Sequence, residues 1–281
     1  MSLSTTASER RPSAAHELLG YHPPGGNQRL RWALADALTL TRRDMLVWLR
    51  VPSFIVFTIV QPVMFVLLFR YVFGGAIKVD VKGGYVNFLM PGIIGQSAAF
   101  ASFGTAIALA REMQKGIIDR FRSMPMARSA VLVGRLLADT VRLTATVVVL
   151  AAVGYAVGFR FENGVLPAIA MLALGVALGV SICCVAGWIG LLVRDEESVG
   201  SVGLIWLFPL TFVSSAFVQV QSMPGWLQAF ANNQPVTIVM DEMRALALGG
   251  PLVTHGWESA LWLVGITAVF GYLAVKAYRR P

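Results

Sequence analysis

One charged segment of the sequence has the residue pattern of a docking helix. Between two long apolar stretches, residues 111–124 place apolar side chains at helical spacing and charged side chains on the other faces, and Pro125 ends the pattern. An apolar ridge bordered by charge is how a helix docks into a groove of another protein, and a helix lying on lipid would show the same pattern. The sequence therefore predicts a helix here, either docked or interfacial. The ridge consists of Ile117, Ile118, Phe121 and Met124.

Groups that could perform catalysis are not found in the sequence. It has no Gly-Lys dipeptide, so it has no phosphate-binding loop of the kind found in ATPases. The histidines His16, His22 and His255 have no metal-binding spacing, and the predicted membrane spans have no carboxylate in their centres. We therefore expect no catalytic residue, cofactor or metal ion in this chain, and proton-coupled transport is disfavoured.

The polar residues within the apolar stretches are uncharged. Such groups can line a passage for an amphipathic or lipid-like solute, and they can equally form hydrogen bonds between packed helices. The candidates for lining a passage are Gln61, Gln96, Ser97, Ser102, Thr105, Ser214 and Ser215.

The composition indicates a membrane protein. Of 281 residues, 56% are hydrophobic and 14% are charged, whereas soluble domains have about 25% charged residues. The apolar runs are long and continuous, which predicts helices that satisfy their own backbone hydrogen bonds in lipid. We expect an all-α membrane domain over residues 28–281 that follows a disordered cytoplasmic tail, residues 1–27. The six expected spans are residues 52–73, 86–110, 139–158, 165–193, 199–219 and 257–277.

The basic residues predict how these spans are oriented. Lys and Arg collect in the N-terminal region, in the second connection and at the C-terminus, which places both termini in the cytoplasm by the positive-inside rule. The net charge of +8 is then explained by topology, and no nucleic-acid partner is needed. The expected location is the cytoplasmic membrane, crossed several times.

Two amphipathic segments lie outside the expected spans. Before the first span, residues 30–49 repeat apolar side chains every three or four positions among arginines, which predicts a helix in the cytoplasmic interface. After the fifth span, residues 220–256 are too apolar for a solvated loop and predict two short helices that dip into the outer leaflet. Their marker residues are Trp226, Phe230, Pro235 and Asp241.

Three stretches resemble the permease subunits of type-2 ABC exporters, in particular the daunorubicin-resistance branch. They are RYVFGGAI at 70–77, REMQKGIIDRFRSMPMARSAVLVGRLLADTVR at 111–142, and FPLTFVSSAFVQVQSMPGWLQAFANNQPVTIVMDEMRALALGGP at 208–251. The last stretch is the most specific, although Gln234 stands where the family often has Asn. With the order of the spans, the resemblance covers about residues 30–280.

The resemblance implies the type-2 permease fold, with six spans and an N-terminal interfacial helix. It also implies two permeases side by side, identical or related, and two cytoplasmic ATPase subunits that bind ATP and Mg. Residues 111–124 would then be the coupling helix that rests in a groove of the ATPase. Its expected contacts are Arg111, Glu112, Gly116, Ile117, Asp119, Arg120, Phe121 and Arg122.

The function implied by this resemblance is outward transport of a hydrophobic or amphipathic compound, such as a drug, a natural product or a lipid. Two alternatives stay open at this point. One is a permease for a lipid-linked or polar glycan, which Trp206 and Phe208 would permit. The other is a membrane enzyme or assembly factor for envelope lipids.

Overall fold

The computed structural model confirms an all-α architecture for the part of the chain that it describes. That part has no β-strand, and it consists of residues 26–50, 56–75, 81, 83–118, 128–249 and 256–279. The predicted disordered tail lies outside it, except that its last two residues belong to the first helix. The helices are α1 Gly26–Arg50, α2 Gln61–Leu68, α3 Gly84–Gln114, α4 Arg128–Ala156, α5 Val165–Val193, α6 Glu196–Phe212, α7 Gly225–Asn233, α8 Pro235–Leu248 and α9 Gly256–Arg279.

Four of the described helices are long and apolar enough to cross a bilayer. They lie in α3, α4, α5 and α9 and correspond to the second, third, fourth and sixth expected spans. Around α2, the π-helical turns Val56–Val60 and Phe69–Phe73 belong to a shorter apolar helix, Thr58–Phe73. The count of six spans stays a prediction.

The fifth expected span is shorter in the structure than the sequence predicts. We expected a helix over residues 199–219, but α6 ends at Phe212. Pro209 lies in its last turn. The helix does not continue past Val213, whose carbonyl accepts a hydrogen bond from the Gln234 side chain and not from the backbone of a further helical turn. At its start, Asp195 caps the helix by accepting the N–H of Ser198 at 2.8 Å.

The core forms where α3 packs against α5 and α8. Ile93 and Ile94 of α3, Leu178 of α5 and Met240 of α8 are buried in one apolar cluster. Small residues allow α3 and α5 to approach closely, since a Cβ atom at Gly190 would lie only 2.4 Å from the carbonyl oxygen of Ala106.

The N-terminal amphipathic helix α1 packs on α4. Thr41 donates a hydrogen bond to the carbonyl of Gly134 at 2.9 Å, and a Cβ atom at Gly134 would lie 2.7 Å from the carbonyl oxygen of Ala37. Leu38 and Leu49 remain exposed. The helix therefore has one side on the protein and apolar side chains available to lipid, as an interfacial helix requires.

The two short helices predicted after the fifth span are present as α7 and α8. Trp226 and Phe230 are exposed on α7, and Pro235 opens α8 in its first turn. Most of α8 is buried against the core, whereas α7 is largely exposed. Their placement in the outer leaflet stays a prediction.

Candidate functional site

The predicted coupling helix does not begin where the sequence suggested. Arg111 and Glu112 belong to the last turn of α3. The helix is interrupted at Gly116, whose φ of +65° lies in the left-handed region that favours glycine. Ile117 and Ile118 follow in a new helical turn. The prediction of a single helix that starts at residue 111 is therefore wrong, because α3 continues past residue 110, the expected end of the second span.

The apolar ridge of that segment is partly used inside the chain. Ile118 was expected on an exposed stripe, but it is fully buried against Leu40, Leu132 and Tyr278. Ile117 is half-buried. The remaining expected contacts lie outside the described residues, so the docking role of the segment stays a prediction. They are Asp119, Arg120, Phe121 and Arg122.

Four charged side chains join α1, α3 and α4 at this end of the molecule, which we call the charged end. Arg43 lies 2.7 Å from Glu112 and 2.8 Å from Asp44, and Arg135 lies 3.0 Å from Asp44. Glu112, an expected ATPase contact, thus has partners within the chain, and its side chain is only 13% exposed.

A second polar contact ties the end of α3 to the start of α6. Arg111 pairs with Glu196, its Nε donating to Oε2 at 2.9 Å, and the Gln114 amide donates to Asp195 at 2.8 Å. Hydrogen bonds from Ser198 and from Gln114 lower the pKa of the Asp195 carboxyl below its ordinary value. The last turn of α3 is therefore held on two sides.

An apolar cavity of about 530 Å³ lies between α2, α3 and α6, with Arg142 of α4 also in its wall. Five phenylalanine rings line it, and among them the Phe100 and Phe208 rings are 5.6 Å apart and the Phe208 and Phe212 rings 4.9 Å apart. Of the seven expected passage residues, only three line this cavity. These are Gln61, Gln96 and Ser97.

The other four expected passage residues lie elsewhere, and three of them make contacts between or within packed elements. Thr105 donates to the Asp139 carboxylate at 2.7 Å, Ser215 donates to Asp241 at 2.7 Å, and Ser214 donates to the carbonyl of Thr211. Ser102 is buried outside the apolar cavity. Thr105, Ser214 and Ser215 therefore fit the alternative interpretation, in which neutral polar residues form hydrogen bonds among packed helices.

Sequence reasoning missed a buried arginine in α8. Arg244 is 9% exposed and donates to the Phe88 carbonyl at 3.0 Å, to Ser215 Oγ at 2.8 Å and to Asp241 at 2.6 Å. We call these four residues the Arg244 network. The spacing of Asp241 and Arg244, three apart on one helix, was the available signal.

A buried ion pair in α4 was also missed. The span expected there begins at Asp139, but α4 begins at Arg128, so Asp139 and Arg142 both lie well inside the helix. Their side chains are 4% and 14% exposed and 2.8 Å apart, and Arg142 also donates to the carbonyl of Ala101 at 3.1 Å.

Arg142 lies between two cavities. Together with Gly104 it lines both the apolar cavity and a second cavity of about 350 Å³ at the charged end. A Cβ atom at Gly104 would lie 3.0 Å from an Arg142 guanidinium nitrogen, so this is a close contact between α3 and α4. The second cavity combines apolar wall surface with charged side chains, which include Arg43, Glu112, Lys115, Arg135 and Asp139.

Comparison with known proteins gives consistent matches. Residues 36–248 match the family described as ABC-2 type transporter. The daunorubicin resistance ABC transporter permease protein DrrB1 of Streptomyces coeruleorubidus is 31% identical over 251 residues, which cover 88% of this chain and 87% of that protein. The probable doxorubicin resistance ABC transporter permease protein DrrC of Mycobacterium tuberculosis is 30% identical over 264 residues, covering 94% and 95%. The doxorubicin resistance ABC transporter permease protein DrrB of that organism is 26% identical over 197 residues, covering 68% of each chain.

Proposed function

This chain belongs to the ABC-2 type transporter family as a membrane-embedded permease, and we propose that it exports a hydrophobic or amphipathic compound outward across the cytoplasmic membrane. Transport is powered by ATP hydrolysis in a separate subunit. The compounds named for its relatives, daunorubicin and doxorubicin, set the class of substrate that we propose.

The apolar cavity is the observation that carries this proposal. Its volume of about 530 Å³ falls within the range of about 300–1,000 Å³ that is usual for small-molecule sites. Aromatic and aliphatic side chains dominate its wall, with Gln61, Gln96 and Ser97 as neutral polar groups. Such a wall suits a largely apolar solute that has a few polar atoms.

The charged end supports the assignment of the cytoplasmic side and of the partner. Arg43, Arg111, Lys115 and Arg135 gather there, as the positive-inside rule requires of cytoplasmic surface. Residues 111–118 form or follow the last turn of α3 at that end, where two ATPase subunits carrying ATP and Mg would dock. Both termini are then cytoplasmic.

A second permease completes the passage in this proposal. The cavity is bounded by α2, α3, α4 and α6 of this chain and is partly open, so a second wall is needed to separate the solute from lipid. Mycobacterium tuberculosis has two permeases, DrrB and DrrC, that are each similar to this chain. That supports pairing with an identical or a related chain.

The relatives support neither of the two alternatives considered from the sequence. Their names describe permeases of drug resistance and contain no reference to a glycan or to an envelope-lipid enzyme. The exporter is therefore the function that we carry forward.

Doxorubicin accumulation in cells tests the proposal. We expect cells that produce this permease with its ATPase to hold less doxorubicin than cells whose ATPase has its phosphate-binding lysine replaced. Permease purified alone should show no ATP turnover. Equal accumulation in both strains, with an assembled complex that hydrolyses ATP, would refute the proposed substrate class.

A further inference from the structure

Two buried N–H donors at the apolar cavity lack hydrogen-bond partners among the described residues. They are Nε2 of Gln96 and Nε of Arg142, and both side chains line the cavity. Gln96 is only 2% exposed. Buried donors are nearly always paired in folded proteins, so two that belong to side chains lining the same cavity need an explanation.

A ligand in the cavity can supply that explanation. Leaving a buried donor unpaired is unfavourable, and a ligand that offers an acceptor oxygen removes the penalty when the side chain turns its donor toward the cavity. A purely apolar ligand of the same shape does not. The cavity wall therefore distinguishes two hydrophobic compounds by whether they carry an acceptor.

The charges at the cavity indicate a neutral acceptor. Arg142 is the single charged residue among those that line the cavity in the described part of the chain. Its charge is already balanced by Asp139 at 2.8 Å, and Asp139 also accepts a hydrogen bond from Thr105. A carboxylate or phosphate entering this wall would bring a charge that has no further counter-ion there, and burying such a charge is costly.

We infer that the apolar cavity selects hydrophobic compounds that carry a neutral carbonyl or ether oxygen, with Gln96 and Arg142 as donors to such oxygens. This inference rests on the proposed function, since it specifies the substrate of the same passage. It assigns Gln96 as the residue that determines specificity. Gln61, which is exposed at the same cavity, has a different role because its amide can reach solvent.

Two planar probes of matched shape test this assignment. Fluorenone has one carbonyl oxygen, and fluorene has a methylene group in its place. Binding of each is measured on the full-length permease in lipid nanodiscs, for the natural chain and for Gln96→Met, which keeps the side-chain length and removes the donor. Partitioning of each probe into lipid is common to both proteins, so it cancels when they are compared.

The variant should lose affinity for fluorenone by about fivefold, the value of one hydrogen bond, while its affinity for fluorene stays within about twofold. The infrared carbonyl stretch of bound fluorenone should also rise in Gln96→Met, because the carbonyl loses a donor. Ser102→Ala is the matched control, since Ser102 is a buried unpaired polar residue on the same helix that does not line the cavity. It should change neither probe's affinity.

Three results would overturn the inference. One is an equal change for both probes in Gln96→Met, and another is an unchanged carbonyl stretch. The third is failure of the natural permease to bind fluorenone, which would indicate that a second permease or lipid fills the cavity. Drug export by a permease that shows no such selectivity would refute this inference alone, whereas selective binding without export would refute the proposed function alone.

Discussion

The two ends of α3 are held by different kinds of polar contact. Near its start, the carbonyl of Phe88 accepts from the buried Arg244, which also bonds Ser215 and Asp241. At its last turn, Glu112 and Arg111 make ion pairs with Arg43 and Glu196, and Arg111 is 44% exposed. A guanidinium bonded to backbone carbonyls fixes the elements around it, whereas partly exposed ion pairs contribute little and can exchange partners.

That difference suits the two ends to different tasks. The Arg244 network attaches α8 to α3 and to the chain after α6, and a rigid attachment is what a structural element requires. The charged end carries side chains that can accept new partners, as a docking surface for an ATPase requires. The predictions below test this contrast, in order of decreasing effect.

Charge reversal in the predicted coupling segment should have the largest effect. We expect Arg120→Glu together with Arg122→Glu to abolish transport or assembly with the ATPase, because both residues are predicted to contact it. Membrane insertion should be normal, since the segment lies outside the expected spans. Transport assays and co-purification measure the outcome, with Arg279→Glu at the C-terminus as control. Unchanged transport would remove the coupling role.

Loss of the buried arginine should be the most destabilising single substitution. Arg244→Met removes the buried donor to the Phe88 carbonyl and to Ser215, while Asp241 is 42% exposed and keeps its bond from Ser215. We therefore expect a cost of about 2–3 kcal/mol, the range for buried polar groups that lose their partner. Thermal unfolding in detergent measures it. Arg160→Met is the control, because Arg160 is exposed. Similar melting temperatures for both variants would contradict the rigid role of this network.

At the charged end, the corresponding substitution should cost less. Glu112→Gln removes the carboxylate that pairs with Arg43, but that arginine keeps Asp44 at 2.8 Å. We expect about 1 kcal/mol, in the range of partly exposed ion pairs. Thermal unfolding beside Glu197→Gln, an exposed position in the first turn of α6, provides the measurement. A loss as large as that for Arg244→Met would erase the contrast between the two ends.

The smallest effect concerns pH and Asp195. Hydrogen bonds from Ser198 and Gln114 lower the pKa of this carboxyl in the folded state. The stabilisation that the ionised Asp195 carboxylate gives the folded state is therefore complete above the ordinary pKa of about 3.9. It is lost as the pH falls through the lower pKa of the folded state. Asp195→Asn, which still caps α6, should lie below the natural chain in melting temperature at pH 7, and the gap should close below about pH 4. A difference in melting temperature that does not change with pH would contradict a stabilising role of the ionised Asp195 carboxylate.

Much of the fold could be predicted from the sequence because a membrane helix can be identified from its own residues alone. Residues 165–193 were expected as a span, and α5 covers the same residues. A long apolar run can be identified as a helix without knowing what packs against it. In lipid its backbone must form its own hydrogen bonds, which a helix achieves within one segment. Helix ends were less predictable: α4 begins at Arg128, eleven residues before the span expected there, because polar residues can continue a helix beyond the lipid core.

Composition and apolar runs were thus enough to predict an all-α membrane protein, and three stretches of sequence were enough to show its resemblance to a permease family. Only the tertiary structure could decide which polar residues meet. Seven neutral residues looked equivalent along the chain, yet Gln96 lines a cavity while Ser215 bonds Arg244. Which face of a helix meets a cavity or a buried charge depends on how the helices cross. That crossing is set by contacts between residues far apart in sequence, such as the approach of Gly190 to Ala106.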